Sequence, residues 1–388
     1  MDNLTHSLIG LAAAKAGLEK LSPGATTLCL LAANSPDADI VVLIFGGRWE
    51  FLQHHRGITH SIVGALALAI ALPVIFWLGD WLLAKVRHRS SRLRFRGLLL
   101  ASLLVTATHP AMDWTNNYGM RFLLPWSGRW FYGDFIFIID PFIWMMLGGA
   151  VFLIASKTRK QVCAWIAIAL ITSYIVLVGI SGSGTAASRF GLRLFWIVSL
   201  VALVILYRQK IGKLAGAKIS VAALAIVIIY CAGLAGTHLL ALRGAKIQAT
   251  SIATRNSENV IRVAAMPTLA NPNEWVCVME TDRATYKFDL SLVNSPPGEA
   301  NPPSSANIIR YAKPVGAAAE IVANAARDRR SEIFLGFARF PVMRVVGEDC
   351  VTQTLVQFAD LRYTEPGKGR GTFSLDVPVE CPVPSDGK

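Results

Sequence analysis

Up to Leu242 the apolar residues come in long runs, and beyond it they begin to alternate with polar ones. Runs of about 17–25 residues suffice to cross a bilayer as helix. They fall at His60–Ala84, Phe135–Ser156, Val162–Ile180, Leu192–Tyr207 and Ile219–Leu242. Gly97–Thr108 is short, but continuation through Asp113 brings it to spanning length at about 1.5 Å per residue. Leu4–Leu18 and Ala25–Phe45 carry polar interruptions, which predict short, tilted or partly re-entrant helices packed against the others. In the tail, Trp275–Glu280, Tyr286–Leu292 and Thr372–Val379 alternate as strands do, Ala317–Arg327 has a helical pattern, and the Pro-rich Asn294–Ser305 is a loop. The expected fold is an α-helical polytopic membrane domain of about six to eight membrane helices followed by a small α+β or mostly β extracytoplasmic domain. Residues 1–155 would form a membrane-embedded metal-site domain, 156–243 additional transmembrane helices and 244–388 the soluble domain.

Composition agrees. The 388 residues are 53% hydrophobic and 16% charged, with a mean hydropathy of +0.47, against roughly 25% charged in ordinary soluble domains. That excludes one large water-soluble enzyme and excludes disorder. The net charge of +13 does not point to nucleic acid, because the densest basic runs lie between apolar segments. These are Lys85–Arg96, Lys157–Lys160 and Arg208–Lys218, and short Lys/Arg-rich loops mark the cytoplasmic face. The 116–134 and 181–191 loops then fall outside, and the last span carries the tail to the extracytoplasmic side. The opening MDNLTHSLIG lacks the basic start of a secretory signal, so the N-terminus is expected to be retained. Cys29, Cys163 and Cys231 read as small hydrophobes in apolar segments. Cys350 with Cys381 is the preferred pairing in the tail, leaving Cys277 over. No CxxC is present, so a thiolate zinc site is not expected.

Ionisable residues at membrane depth cost at least about 2.5–3.5 kcal/mol each near a helix centre. The N-terminal part nevertheless holds many, including five of the seven histidines. His109 and Asp113 stand at i and i+4, on one helix face and within reach of a single ion. Pro110 between them requires a kink or a first turn. His54, His55 and His60 open an apolar run, with Gly57 allowing a tight turn and Thr59 able to cap the following helix. Asp37 and Asp39 stand two apart and repel unless solvated, protonated or shared by a cation. His6 alone is weak, and Asp134 and Asp140 read as caps or solvated residues. In the topology above, these groups gather at the outer face. An imidazole and carboxylate set suits zinc, with manganese or iron as further candidates.

MDNLTHSLIG, the PDAD of 36–39, the HRGITHS of 55–61 and the HPAMDW of 109–114 resemble bacterial inner-membrane metal-dependent hydrolases of the YdjM/YbcI type. The resemblance covers about residues 1–155, and the tail looks like the long form of the same group. The order His, Asp, His, His-x-x-x-Asp is also similar to that of zinc-dependent phospholipase C and P1-type nucleases. Carried over, it implies His6, Asp37 or Asp39, His55 or His60, and His109 with Asp113 as ligands. This chain does not begin with a processed Trp and has no later His-x-x-x-Glu pair, so one or two ions are expected rather than three.

The leading expectation is a membrane hydrolase of the bacterial cytoplasmic membrane with an outward-facing site. A bound divalent ion would activate water, whichever of Asp37 and Asp39 is not a ligand would take its proton, and Arg56 would steady an anionic substrate or developing charge. The resemblance suggests a phosphodiester or lipid-linked substrate, with the bilayer itself as partner. The alternatives are an ion or proton relay in transport, and a partner-binding membrane protein. A relay would spread polar groups into the later spans, and Val162–Tyr207 holds almost none.

Overall fold

The computed structural model describes residues 1–179, 186–293, 308–347, 353–369 and 371–380. The chain forms two compact units. The first comprises Met1–Ala38, Arg56–His238 and Pro267–Pro272, and the second Asp39–His55, Leu239–Met266 and Asn273–Lys388.

In the first unit, α1 (Asn3–Ala16) starts at Asp2, whose side chain accepts from the Thr5 backbone N–H. It packs against α2 (Ala25–Asn34). A Cβ at Gly10 would stand 2.6 Å from the Cys29 carbonyl oxygen, so glycine sets how closely these helices approach. Both continue into a core of Leu28, Ala32, Leu98, Ala101 and Val105, which brings in α5 (Phe95–Trp114). Before it runs α4 (Ile62–Val86), capped by the Ser61 hydroxyl, which accepts from the Gly64 N–H at 3.1 Å. The expected cap, Thr59, lies instead in a 3-10 turn, Ile58–His60. Gly64 is required here, since a Cβ would fall 1.7 Å from the Ile58 carbonyl oxygen.

The remaining helices of this region are α6 (Pro141–Ala155), α7 (Arg159–Tyr174), α8 (Ala186–Arg208), α9 (Ile211–Ala215) and α10 (Ala217–Arg255). The expected run Phe135–Ser156 is helical only from Pro141. Asp140 caps it by accepting from Phe142 and Ile143 N–H, and proline biases its predecessor away from helix. Pro110, by contrast, sits inside α5 near its C-terminal end.

Among the described residues, five helical stretches are long and apolar enough to cross a membrane: Ala25–His54, Ile62–Val86, Arg159–Gly179, Ser188–Arg208 and Ala217–Arg255. The first includes α2, a 3-10 turn over Ser35–Ile40 and α3 (Val41–His54). α5 has 20 residues, but its Ser, Thr, His and Asp keep it out of that set.

α10 runs beyond Leu242 because Ala241, Ala245, Ala249 and Ile252, spaced by three or four, pack against Trp275, Cys277, Tyr286 and Phe288. Those four residues alternate along β2 (Asn271–Thr281) and β3 (Ala284–Ser291), paired antiparallel with Trp275 opposite Leu290 and Cys277 opposite Phe288. With β1 (Val260–Thr268) and β4 (Ile309–Ala312) they form a four-stranded sheet ordered β1-β2-β3-β4. After α11 (Ala317–Ala325) and α12 (Arg329–Phe337) comes an antiparallel sheet of β5 (Pro341–Val346), β6 (Gln353–Asp360) and β7 (Ser374–Glu380). The C-terminal region is therefore α+β, with one helix more than its pattern predicts. Cys277 is a buried free thiol, whereas Cys350 and Cys381 lie outside the described residues.

Candidate metal centre

The ends of three elements meet around four side chains. His109 and Asp113 lie on the last turns of α5, His60 closes the 3-10 turn before α4, and Asp37 sits in the 3-10 turn after α2. His60 and His109 are 0% exposed and Asp113 1%, while the Asp37 side chain retains 18%. One ligand atom from each lies within 4.8 Å of the others.

The spacing within that group is tight. The Nε2 atoms of His60 and His109 are 3.2 Å apart, and Asp37 Oδ1 lies 3.2 Å from the first and 3.5 Å from the second. Asp113 Oδ2 is 3.5 Å from each. Four ligands held tetrahedrally about 2.0–2.1 Å from zinc would stand about 3.3–3.4 Å apart. These five separations are thus close to the edges of such a tetrahedron.

The outer hydrogen bonds aim the inner atoms. Nδ1 of His109 donates to the Ala33 carbonyl at 2.6 Å, and Nδ1 of His60 bonds the Thr59 hydroxyl at 3.0 Å. His109 thereby commits its proton outward and turns the Nε2 lone pair inward, as metal-bound histidines do, and the hydroxyl partner of His60 permits the same arrangement. The carboxylates are split the same way. Asp37 Oδ2 accepts from the Asn3 amide at 2.9 Å. Asp113 Oδ1 accepts from the Met1 amino group and from Arg56 Nη2 at 3.2 Å, and lies 3.3 Å from His6 Nε2. A single proton on one ring would bridge one of the five edges, whereas a cation at their centre serves all four acceptors. The donor set fits a divalent ion that accepts nitrogen and oxygen.

The expected residues divide accordingly. Asp37, His60, His109 and Asp113 come together, and His6 joins from behind Asp113, its ring stacked on His109 with centroids 3.7 Å apart. Asp39 and His55 pair with one another, His55 Nδ1 lying 3.2 Å from both carboxylate oxygens. His54 is exposed, 3.7 Å from Glu50.

Arg56 takes a part different from the one expected. It is 2% exposed. Nη1 donates to the Asp113 and Gly119 carbonyls and to Asn116 Oδ1, at 2.9–3.3 Å, and the guanidinium lies over Tyr118. These contacts tie it to Asp113 and the end of α5. The turn that puts it there has Arg56, not Gly57, in the left-handed region, at φ 52°. Asn3, Thr59, Asn116 and the Ala33 carbonyl were not legible as site residues, since nothing in their type or spacing marks an outer hydrogen-bond partner.

Residues 1–184 match the YdjM inner membrane protein family. The four motifs fall inside that match, and with the long apolar helices it makes the chain an integral membrane protein. The uncharacterised protein YfhP of Bacillus subtilis (strain 168) is 28% identical over 194 residues, 46% of this chain. The inner membrane protein YbcI of Escherichia coli (strain K12) is 29% identical over 143 residues, 36% of this chain. The alignment covers 52% of YfhP and 76% of YbcI. No solved structure matches.

Proposed function

We propose that this YdjM-type protein is a membrane-bound hydrolase built on a single divalent ion, zinc in the first place and manganese or iron otherwise, held by Asp37, His60, His109 and Asp113. The observation that carries the reading is the set of five ligand-atom separations of 3.2–3.5 Å. When bound, such an ion supplies Lewis acidity, lowering the pKa of water and polarising an ester oxygen. Ala33 holds His109 in the required tautomer, and Thr59 orients the His60 ring. Arg56 fixes Asp113, and Asn3 fixes Asp37, the most accessible of the four. Substrate therefore approaches along Asp37. Of the two aspartates expected to divide the ligand and base roles, Asp37 takes the first.

A phosphodiester or lipid-linked ester is the substrate class. The ligands lie at the His60 end of α4 and the His109 end of α5, opposite the basic connection Lys85–Arg96. By the positive-inside rule that connection is cytoplasmic, so the centre faces outward, and the same alternation carries the C-terminal domain to the extracytoplasmic side. Two histidines and two aspartates also make a closed set, the form taken by ions that only brace a fold. Activity separates the two readings.

The test is elemental mass spectrometry on the detergent-purified chain, with His109→Ala and Asp113→Ala beside it, followed by assays on a nitrophenyl phosphodiester and on phospholipids. One equivalent of transition metal, lost in both variants, with metal-dependent turnover, is the expected result. Metal without turnover on any ester supports the bracing ion. A folded parent that takes up no metal on reconstitution overturns the centre and advances the relay or partner-binding alternatives.

A further inference from the structure

A second feature of the first unit lies on the other side of α1. Leu4 and Leu8, one turn apart, line a cleft with Trp144 and Gly148 of α6, Trp165 of α7 and Val204 of α8. It encloses about 710 Å³, counting its open side. Three of its polar groups are already engaged. The Trp144 indole donates to Asp2 and Thr5 at 3.1 Å, the Trp196 indole to Ser173 at 2.9 Å, and the Thr172 hydroxyl to the Ile168 carbonyl at 2.9 Å. Apart from the Trp165 indole, the lining is otherwise apolar.

Three observations say what fills it. The wall helices α7 and α8 belong to stretches long and apolar enough to cross a membrane, so the open side faces acyl chains rather than water. Along α8 the lining runs from Trp196 to Val204, eight residues at about 1.5 Å each, or about 12 Å. That is close to the hydrocarbon depth of one leaflet, half of about 30 Å. The cleft also ends beside the candidate centre. Its upper residue Trp144 bonds Asp2, and the next residue, Asn3, bonds Asp37 at 2.9 Å.

We infer that this cleft holds one acyl chain of a bilayer phospholipid whose headgroup emerges at the N-terminal end of α1, next to Asp37. The substrate half of this inference rests on the hydrolase reading; the occupancy of the cleft does not. Gly148 is the control point. A Cβ there would meet only Leu8 and Trp165 side-chain atoms at 3.7–3.9 Å, so the backbone accepts a side chain and a large one fills the space.

The test places the full chain in nanodiscs containing a phospholipid with a photoactivatable acyl chain and maps the cross-links by mass spectrometry. Cleft residues of α6, α7 and α8 are expected to label several-fold more than the exposed apolar face of α4 at Ile70 and Ile75. Gly148→Leu and, independently, Ala169→Phe should abolish that excess while keeping the parent's metal content, which shows that they fold. Gly79→Leu, where nothing lies within 4 Å, should leave it unchanged. Equal labelling of cleft and α4, or an excess that survives both filling variants, overturns the inference. So does displacement of the label by an isoprenyl phosphate but not by excess phospholipid. His109→Ala keeps the two readings apart: lost metal with retained cleft labelling sinks only the hydrolase, and intact metal and turnover without preferential labelling sinks only the acyl cleft.

Discussion

Asp113 and Glu258 are carboxylates of similar isolation, 1% and 8% exposed, kept in different company. In the C-terminal region Glu258 Oε2 accepts from the Thr281 hydroxyl at 2.6 Å and the Tyr286 hydroxyl at 3.0 Å, and Oε1 from Arg310 at 2.8 Å. Every close neighbour is a donor. Burial alone would raise the Glu258 pKa, but the hydrogen bonds from Thr281, Arg310 and Tyr286 outweigh it and hold the carboxyl below its ordinary value. Asp113 is donor-bound through Oδ1; its Oδ2 faces the Nε2 atoms of His60 and His109 at 3.5 Å, and the His109 ring has committed its proton to the Ala33 carbonyl. A buried carboxylate surrounded by donors is a strut. A carboxylate oxygen that faces a lone pair instead of a donor asks for a cation.

The sharpest way to break this contrast is Asp113→Ala. It should remove the metal and, by leaving Arg56 buried without its carboxylate, cost about 3–5 kcal/mol of stability, read as metal content and thermal unfolding in detergent. A variant with the parent's metal and melting temperature would reduce Asp113 to another strut.

Thr59→Val takes away the outer partner of His60 and should weaken metal affinity about 10–100-fold, measured by chelator competition, with Thr59→Ser restoring most of it. Glu258→Gln is expected to cost only about 1 kcal/mol and to leave metal binding untouched. Because the folded Glu258 pKa is depressed, its contribution is present above the unfolded value of about 4.3. It is lost as pH falls through the lower folded value. Acid unfolding of the Gln variant should therefore show less pH dependence than the parent, and identical profiles would contradict the strut.

The four motifs and the His109/Asp113 pair were legible because helical spacing puts i and i+4 on one face whatever surrounds them. The choice between Asp37 and Asp39 was not. They fall in a 3-10 turn, where residues two apart point about 240° apart, and an alternation read from the chain alone carries no such direction. The turn through Arg56 at positive φ is equally hidden, and it sets where the rings on either side of it point. Arg56 itself misleads, because a cation beside histidines reads as a substrate ligand until its hydrogen bonds are known.

The sequence by itself determined the long apolar helices, the change to an alternating C-terminal region and the residue types available for a nitrogen and oxygen centre. These follow from hydropathy and periodicity, which act along one element at a time. The three-dimensional packing brought four of the seven expected ligands within reach of one another, set the outer partners of His60 and His109, and opened an apolar cleft beside α1. Those depend on atoms as far apart in the chain as Ala33 and His109, and no local pattern encodes the distance between them.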